Sequence, residues 1–504
     1  MNDMGLASRT AIHLRSDDSR VVSRLFIPGQ ELIGGSESRA ANTVERLLSL
    51  DEDDVDAALE DLFARFVLRH DDLARIFDDH ADRVSDYLTA PITRARRRLI
   101  GAAFTHEYSI EGAAICNPSL VIHPDQAGLE RGSLRVAMSI RSVGEGHHSS
   151  IGFRSGVIDA AGELTLEPAE PFPIVGSVGT TTLNRDLFHA LLHDLGFDGE
   201  TSASVLNTLG EQFTAADLEV AVAKLETQND TRLNVVKTAG LLRLIAACFY
   251  QVSFDADVHL SRRVLWPTAP NEGNGMEDAR FVATSENGVA AYIASYTAFD
   301  GHSVSQQLLE TDDFLTFVSS PLAGRGARNK GLAFFPRKVQ GRFVALSRYD
   351  RESNAVSFSD DLHRWDEVVT AQIPRYSWEV VQLGNCGSPI ELAEGWLVMT
   401  HGVGPMRTYG IGALLLDIND PTKVIGQLPR PLLVPTREEQ DGYVPNVVYS
   451  CGSLVHAGTL YIPYGIADQS ISLATVSMTA LLNALEEPNE TVGMSTAPFA
   501  RESE

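Results

Sequence analysis

The stretch Gly395-Trp-Leu-Val-Met-Thr-His-Gly-Val403 reads as one short apolar strand, opened by a glycine and closed on a polar side chain, His401. The same plan returns four times. GSLRVAMSIR spans 132–141, VAAYIASYTAFDG 289–301, GRFVALSRYD 341–350 and GTLYIPYGIAD 458–468. Each is preceded and followed by further strand and turn signals, so each is the middle of a small antiparallel unit. The last three spacings fall at about 50–65 residues, the period of a repeat architecture, and the first is stretched by an insertion. Strands this short cannot bury a core alone. Five units therefore predict an all-β five-bladed β-propeller, whose radial repetition protects the sheet edges; an ordinary β-sandwich is the alternative.

Two blocks depart from this pattern. From about Ser38 to Arg98, Val55, Leu59, Leu62, Phe63, Phe66 and Val67 recur at helical spacing behind an acidic first turn. A second helical block runs from about Asn184 to Tyr250, with Thr214 and Asp217 at the spacing of a cap before Leu218, Val222 and Leu225. The expected division is a largely helical N-terminal extension (1–105), the first part of the propeller (106–180), a helical insertion (181–262), the remainder of the propeller (263–490) and a flexible C-terminal tail (491–504).

The composition narrows the function. Of 504 residues, 44% are hydrophobic and 21% charged, with a formal net charge of −26. That charge repels phosphate backbones and anionic membranes, so neither nucleic acid nor a membrane is an expected partner. Residues 1–20 carry charges throughout and lack the apolar core of a secretory signal, which points to the cytoplasm. Cys116, Cys248, Cys386 and Cys451 show no metal-type spacing and are expected as free thiols. His189 and His193 stand four apart on a helix, but without a third ligand no metal site is expected.

In a propeller, polar groups at one repeated strand position converge on a central pocket. Arg141, Tyr296, Arg348, His401, Tyr464 and Asp468 end the five strands. Asn117, Asp278, Arg280, Lys330, Ser388 and Asn446 precede them. These are the mixed donors and acceptors that sugar hydroxyls require. The sharpest motif is Asn274-Gly-Met-Glu-Asp-Ala-Arg280, where strand alternation places Asp278 and Arg280 on one face. Inverting glycoside cleavage by water uses an acid and a second carboxylate as base. Cleavage by phosphate needs no second carboxylate, only cations opposite the acid, and Lys330, Arg348 and His401 supply such a cluster.

Taken in order, CNPSLV (from Cys116), SSIGFRS (Ser149), GMEDARF (Gly275), NKGLAFFP (Asn329), FSDDLHRW (Phe358), GSPIE (Gly387), HGV (His401) and YGIAD (Tyr464) resemble glycoside hydrolase family 130. The resemblance covers most of the propeller and implies an inverting enzyme acting on β-mannosides, in most members with phosphate and with release of α-mannose 1-phosphate. By that resemblance Asp278 is the general acid, delivering its proton through the 3-hydroxyl of the bound mannosyl unit. Lys330, Arg348 and His401 bind phosphate, and Asn117, Arg141, Arg280, Tyr296 and Asp468 hold the sugar. The expected partners are a β-1,2- or β-1,4-linked mannooligosaccharide and inorganic phosphate as co-substrate, with no cofactor. The helical additions depart from the common pattern, and they either shape the acceptor side or form a homo-oligomer interface. An inverting β-mannosidase using water and a non-catalytic sugar-binding propeller are the rival functions.

Overall fold

A computed structural model describes residues 3–28, 39–88, 91–227, 234–286 and 288–487. Ser38 and the 491–504 tail lie outside the described residues. The protein is mostly β, with helices in two blocks, and its strands form five successive antiparallel meanders. The first comprises Ala114–Ile122, Leu134–Val143, Ser149–Ile158 and Leu164–Leu166. The second comprises Gly275–Ala283, Tyr292–Phe299, Val304–Thr311 and Thr316–Pro321. The third comprises Ala333–Phe334, Phe343–Ser347, Asn354–Ser359 and Glu367–Gln372. In the fourth, Gln382–Asn385 and Ile390–Glu391 both pair with Trp396–Val403, followed by Tyr409–Leu416 and Val424–Gln427. The fifth pairs Val448–Tyr449 and Leu454–His456 with Thr459–Ile466, which pairs with Ser470–Ser477.

All five quoted sequences thus form the second strand of a meander. Successive side chains on these strands point to opposite faces, and both sets are buried because each sheet is covered on both sides. Apolar clusters fill the spaces between successive meanders: Phe153 against Phe281, Leu308 against Phe334, Val344 against Trp396 and Met399 against Ile462. A further cluster packs Ile115, Val136 and Met138 of the first meander against Tyr461 and Leu473 of the fifth.

The N-terminal segment carries strand Ala7–Arg15, which pairs antiparallel with Ser470–Ser477 and forms the outer strand of the fifth meander. Its alternation is weak, and the sequence reading, which has this extension as largely helical, missed it. Helices Arg39–Leu48, Glu52–Phe66, Leu73–Arg83 and Arg94–Ala103 follow. Arg20, just before strand Val21–Leu25, is joined to the first meander through buried Glu111, which receives Arg20 Nε at 3.0 Å and Arg154 Nη2 at 2.7 Å. The insertion forms Arg185–Asp194, Glu200–Leu206, Ala215–Thr227 and Val235–Ala246 around its own core of Leu187, Phe188, Phe213, Leu218, Val222 and Leu242. Thr214 and Asp217 bond reciprocally as the capping pattern predicts. The insertion's last strand, Tyr250–Ser253, widens the second meander by pairing with Thr316–Ser319. Asp313 and Asp361 close outer turns by accepting backbone N–H groups, and Phe317 and Trp365 are buried beneath them.

Candidate functional site

The first strand of a meander is interrupted at a recurring place. A bulge separates Cys116 from Ser119 in the first meander and Glu277 from Arg280 in the second, and the residues inside, Asn117 (φ 50°) and Asp278 (φ 56°), are left-handed. In the fourth and fifth, the strand is broken between Asn385 and Ile390 and between Tyr449 and Leu454. Bulges re-aim side chains that strict alternation would leave in the sheet. Here they turn Asn117 and Asp278 into one cavity of about 250 Å³, whose wall also includes Arg141, Lys330, Arg348, Gln382, His401, Arg407, Tyr409, Tyr449 and Asp468.

Asp278 accepts a hydrogen bond from Asn117 Nδ2 and lies 3.8 Å from Arg141 Nη1 and 4.0 Å from Arg280 Nη2. Arg280 is fully buried beneath the cavity; it donates to the Asp278 carbonyl and to Tyr449 Oη, both at 2.7 Å. Glu277 points the other way round the bulge, taking Arg141 Nη2 at 2.7 Å and Lys330 Nζ. Burial alone would raise the Asp278 carboxyl, but Arg280, Arg141, Lys330 and Asn117 outweigh it and hold the group below the usual carboxylate range. Asp468, left-handed at φ 50°, has the opposite balance. Burial, reinforced by the charge of Asp278, pushes it up to about 6 against the pull of Arg141 and Arg407.

On the facing wall, burial and then the Arg348 charge push His401 well below its ordinary value, so the ring is neutral rather than cationic. Its Nδ1 lies 3.1 Å from the Asn385 carbonyl, which places the proton there and turns the Nε2 lone pair toward the cavity side. Only glycine at 384 lets this wall form, since a Cβ there would stand 2.4 Å from Arg348 Cδ and 2.5 Å from His401 Cε1. Arg141 Nε, Arg348 Nε, His401 Nε2 and Asn117 Oδ1 are buried with no hydrogen-bond partner among the described residues.

Of the residues read from sequence, the structure brings Asn117, Arg141, Asp278, Lys330, Arg348, His401 and Asp468 to the cavity, with Arg280 directly behind. Tyr296 is not among them. Its hydroxyl is buried in a separate network with Glu272, Tyr250 and Ser319. Tyr464 likewise turns away and donates to Glu439 at 2.8 Å. Asn446 contributes through its backbone, accepting from Tyr409 N at 2.9 Å, and Ser388 is outside the lining. Sequence reasoning missed Tyr449, Tyr409, Arg407 and the space-making Gly384; the position of Tyr449, three residues after Asn446 on the first strand of its repeat, was the available signal. His193 pairs with Asp198 at the surface, 2.7 Å away.

A small polar cavity walled by carboxyls, guanidinium groups and amides, set in repeated β-meanders, is the site of a carbohydrate-active protein. The family described as beta-1,4-mannooligosaccharide phosphorylase matches residues 256–487. The chain is 32% identical over 250 residues to a 1,2-beta-oligomannan phosphorylase of Thermoanaerobacter sp. (strain X514), covering 47% of this chain and 80% of that protein. It is 35% identical over 176 residues to a beta-1,4-mannooligosaccharide phosphorylase of Ruminococcus albus, covering 32% of this chain and 52% of that one. Among solved structures, the beta-1,2-mannobiose phosphorylase of Listeria innocua in complex with beta-1,2-mannobiose superposes with a TM-score of 0.44 at 22% identity, over 75% of this chain and 93% of that one. The chain belongs to glycoside hydrolase family 130.

Proposed function

We propose that the protein is an inverting β-mannoside phosphorylase that cleaves β-1,2- or β-1,4-mannooligosaccharides and releases α-mannose 1-phosphate. The observation that carries this reading is the set of unpartnered donors and the Lys330 ammonium on the wall around Asp278, because buried polar groups left open call for a ligand that satisfies them. In this reading Asn117, Arg141 and Asp468 hold the mannosyl unit, Lys330 and Arg348 bind phosphate, and His401 Nε2 accepts the hydroxyl proton of monohydrogen phosphate. A phosphate oxygen attacks C1 as the glycosidic C–O bond breaks, and the leaving oxygen takes a proton supplied by Asp278.

Arg280, Arg141 and Lys330 keep Asp278 ionised against the effect of burial. A bound phosphate dianion offsets Lys330 and Arg348 and raises that carboxyl, so the acid is charged with its proton when the nucleophile is in place. Hydrolysis would instead use Asp468 as the base for water. The fold reading that goes with this function is a five-bladed propeller, supported by five equivalent meanders, by a core between each successive pair, and by the packing of the fifth on the first. A cytoplasmic setting goes with four free, buried thiols, and self-association through the helical additions belongs to the same reading. Incubation with β-1,2- and β-1,4-mannooligosaccharides, with and without phosphate, tests the function. Phosphate-dependent mannose 1-phosphate is the expected product; free mannose without phosphate would make the protein a hydrolase.

A further inference from the structure

The cavity, at about 250 Å³, is smaller than the roughly 300–1,000 Å³ of pockets that engulf a drug-sized ligand. A volume of that order has room for one hexosyl unit with a phosphate, so in the proposed function the remaining sugars of an oligosaccharide lie across its rim. Two turns there share one form. Residues 144–148 of the first meander and 404–408 of the fourth each open on an extended glycine and then place two successive residues in the left-handed region. In the first turn these are Gly146 (φ 66°) and His147 (φ 63°); in the second they are Met406 (φ 58°) and Arg407 (φ 53°). Such a conformation costs about 1–3 kcal/mol at each non-glycine residue, and it persists where surrounding structure over-determines it, often at ligand sites.

The second turn brings Arg407 to the cavity wall, where its charge acts on Asp468. The first brings His147 to Tyr443, with Nδ1 and Oη 2.9 Å apart and ring centroids separated by 5.6 Å at 36°. Tyr443 is 48% exposed and immediately precedes Val444, which lines the cavity and donates its N–H to the Ala467 carbonyl at 2.8 Å, next to Asp468. An aromatic side chain whose hydroxyl is committed to a histidine thus directly precedes a cavity-lining residue, and Arg407 on the same cavity wall forms no side-chain hydrogen bond or ion pair among the described residues. A pyranose offers an apolar C–H face and a rim of hydroxyls, which matches a half-exposed ring beside a planar donor.

We infer that Tyr443, braced by His147, and Arg407 form the platform for the leaving-side sugar, a neutral β-linked pyranoside unit outside the cavity, and thereby set acceptor choice and chain length. This rests on the cavity being the mannosyl and phosphate site. Running the reaction in reverse separates the two halves, because α-mannose 1-phosphate fills only the cavity and the acceptor sugar only the rim. Tyr443→Ala should raise the acceptor KM about tenfold while the KM for mannose 1-phosphate stays the same, and Arg407→Ala, whose side chain also lines the cavity beside Asp468, should raise the acceptor KM by more than it raises the KM for mannose 1-phosphate. His147→Ala should give a smaller rise, and His147→Gln should restore part of it. An unchanged acceptor KM, or a parallel rise in both constants, overturns the platform. If the unaltered protein consumes no mannose 1-phosphate with any acceptor, the reading of the cavity itself falls, and the platform with it.

Discussion

The second meander carries two buried titratable clusters that differ in one respect. Around Glu272, the hydroxyls of Tyr250 and Tyr296 and the backbone N–H groups of Thr268 and Ala269 all donate to the carboxylate, and Ser319 completes the set. Around Asp278, a few residues along the same chain, the cavity-lining Arg141, Arg348 and His401 each bury a side-chain nitrogen that has no hydrogen-bond partner among the described residues. Burial raises the Glu272 carboxyl despite its donors, whereas nearby cations hold Asp278 down. A closed network stabilises a sheet; an open one is available to a ligand. Burial and composition alone do not tell them apart.

Substitutions can test that contrast. Asp278→Asn should lower phosphorolysis by about 10²–10⁴-fold, the usual contribution of a positioned acid, with mannoside binding still measurable by calorimetry. Retained turnover would remove Asp278 from the chemistry. Arg348→Ala should raise the KM for phosphate by more than about tenfold, since a charge-assisted hydrogen bond contributes roughly 1.5–3 kcal/mol. Gly384→Ala, which drives a methyl into Arg348 and His401, should act in the same direction, and normal phosphate kinetics in both variants would show that this wall is not the anion site.

In the closed cluster, Tyr296→Phe should cost about 0.5–1.5 kcal/mol in urea unfolding and leave kcat/KM within a few-fold. A loss like that of Asp278→Asn would erase the distinction between the clusters. The last contrast is a pH dependence at Asp468. Its carboxyl is raised above its unfolded value, so its contribution to stability is complete below about pH 4 and is lost as pH rises through about 6. The melting temperature of Asp468→Asn should therefore fall less between pH 4 and 7 than that of the unaltered protein, and identical slopes would place the group's titration elsewhere.

The repeat was legible because every second strand carries a glycine entry, an apolar run and a polar end in consecutive residues. Most of the site was legible for the same reason, since repeated positions converge. Tyr296 shows the limit. It stands one residue short of the position that Arg141 and His401 hold, since Cys116 pairs with Arg141 where Glu277 pairs with Thr297, so its side chain falls on the opposite face of the strand, where the insertion brings Tyr250. The left-handed bulges at Asn117 and Asp278 also break the two-residue period on which a sequence reading depends. Gly384 leaves no polar signal at all, as its contribution is the volume it does not fill. Strand Ala7–Arg15 was hidden because its partner, Ser470–Ser477, lies more than four hundred residues away, and pairing at that separation leaves no local pattern.

That distant pairing also sets an order of events during synthesis. Strand Ala7–Arg15 leaves the ribosome ahead of its hydrogen-bonding partner, which is made more than four hundred residues later. Until then its backbone donors and acceptors are open to any other strand edge, including that of a neighbouring nascent chain. Arg15 on this strand, with Arg9 held by Glu439 once folding is complete, places charge along an edge that must wait. A strand made this far ahead of its partner is thus seated late, and a chaperone that shields residues 7–15 should raise the yield of folded protein more than one acting on the helical insertion.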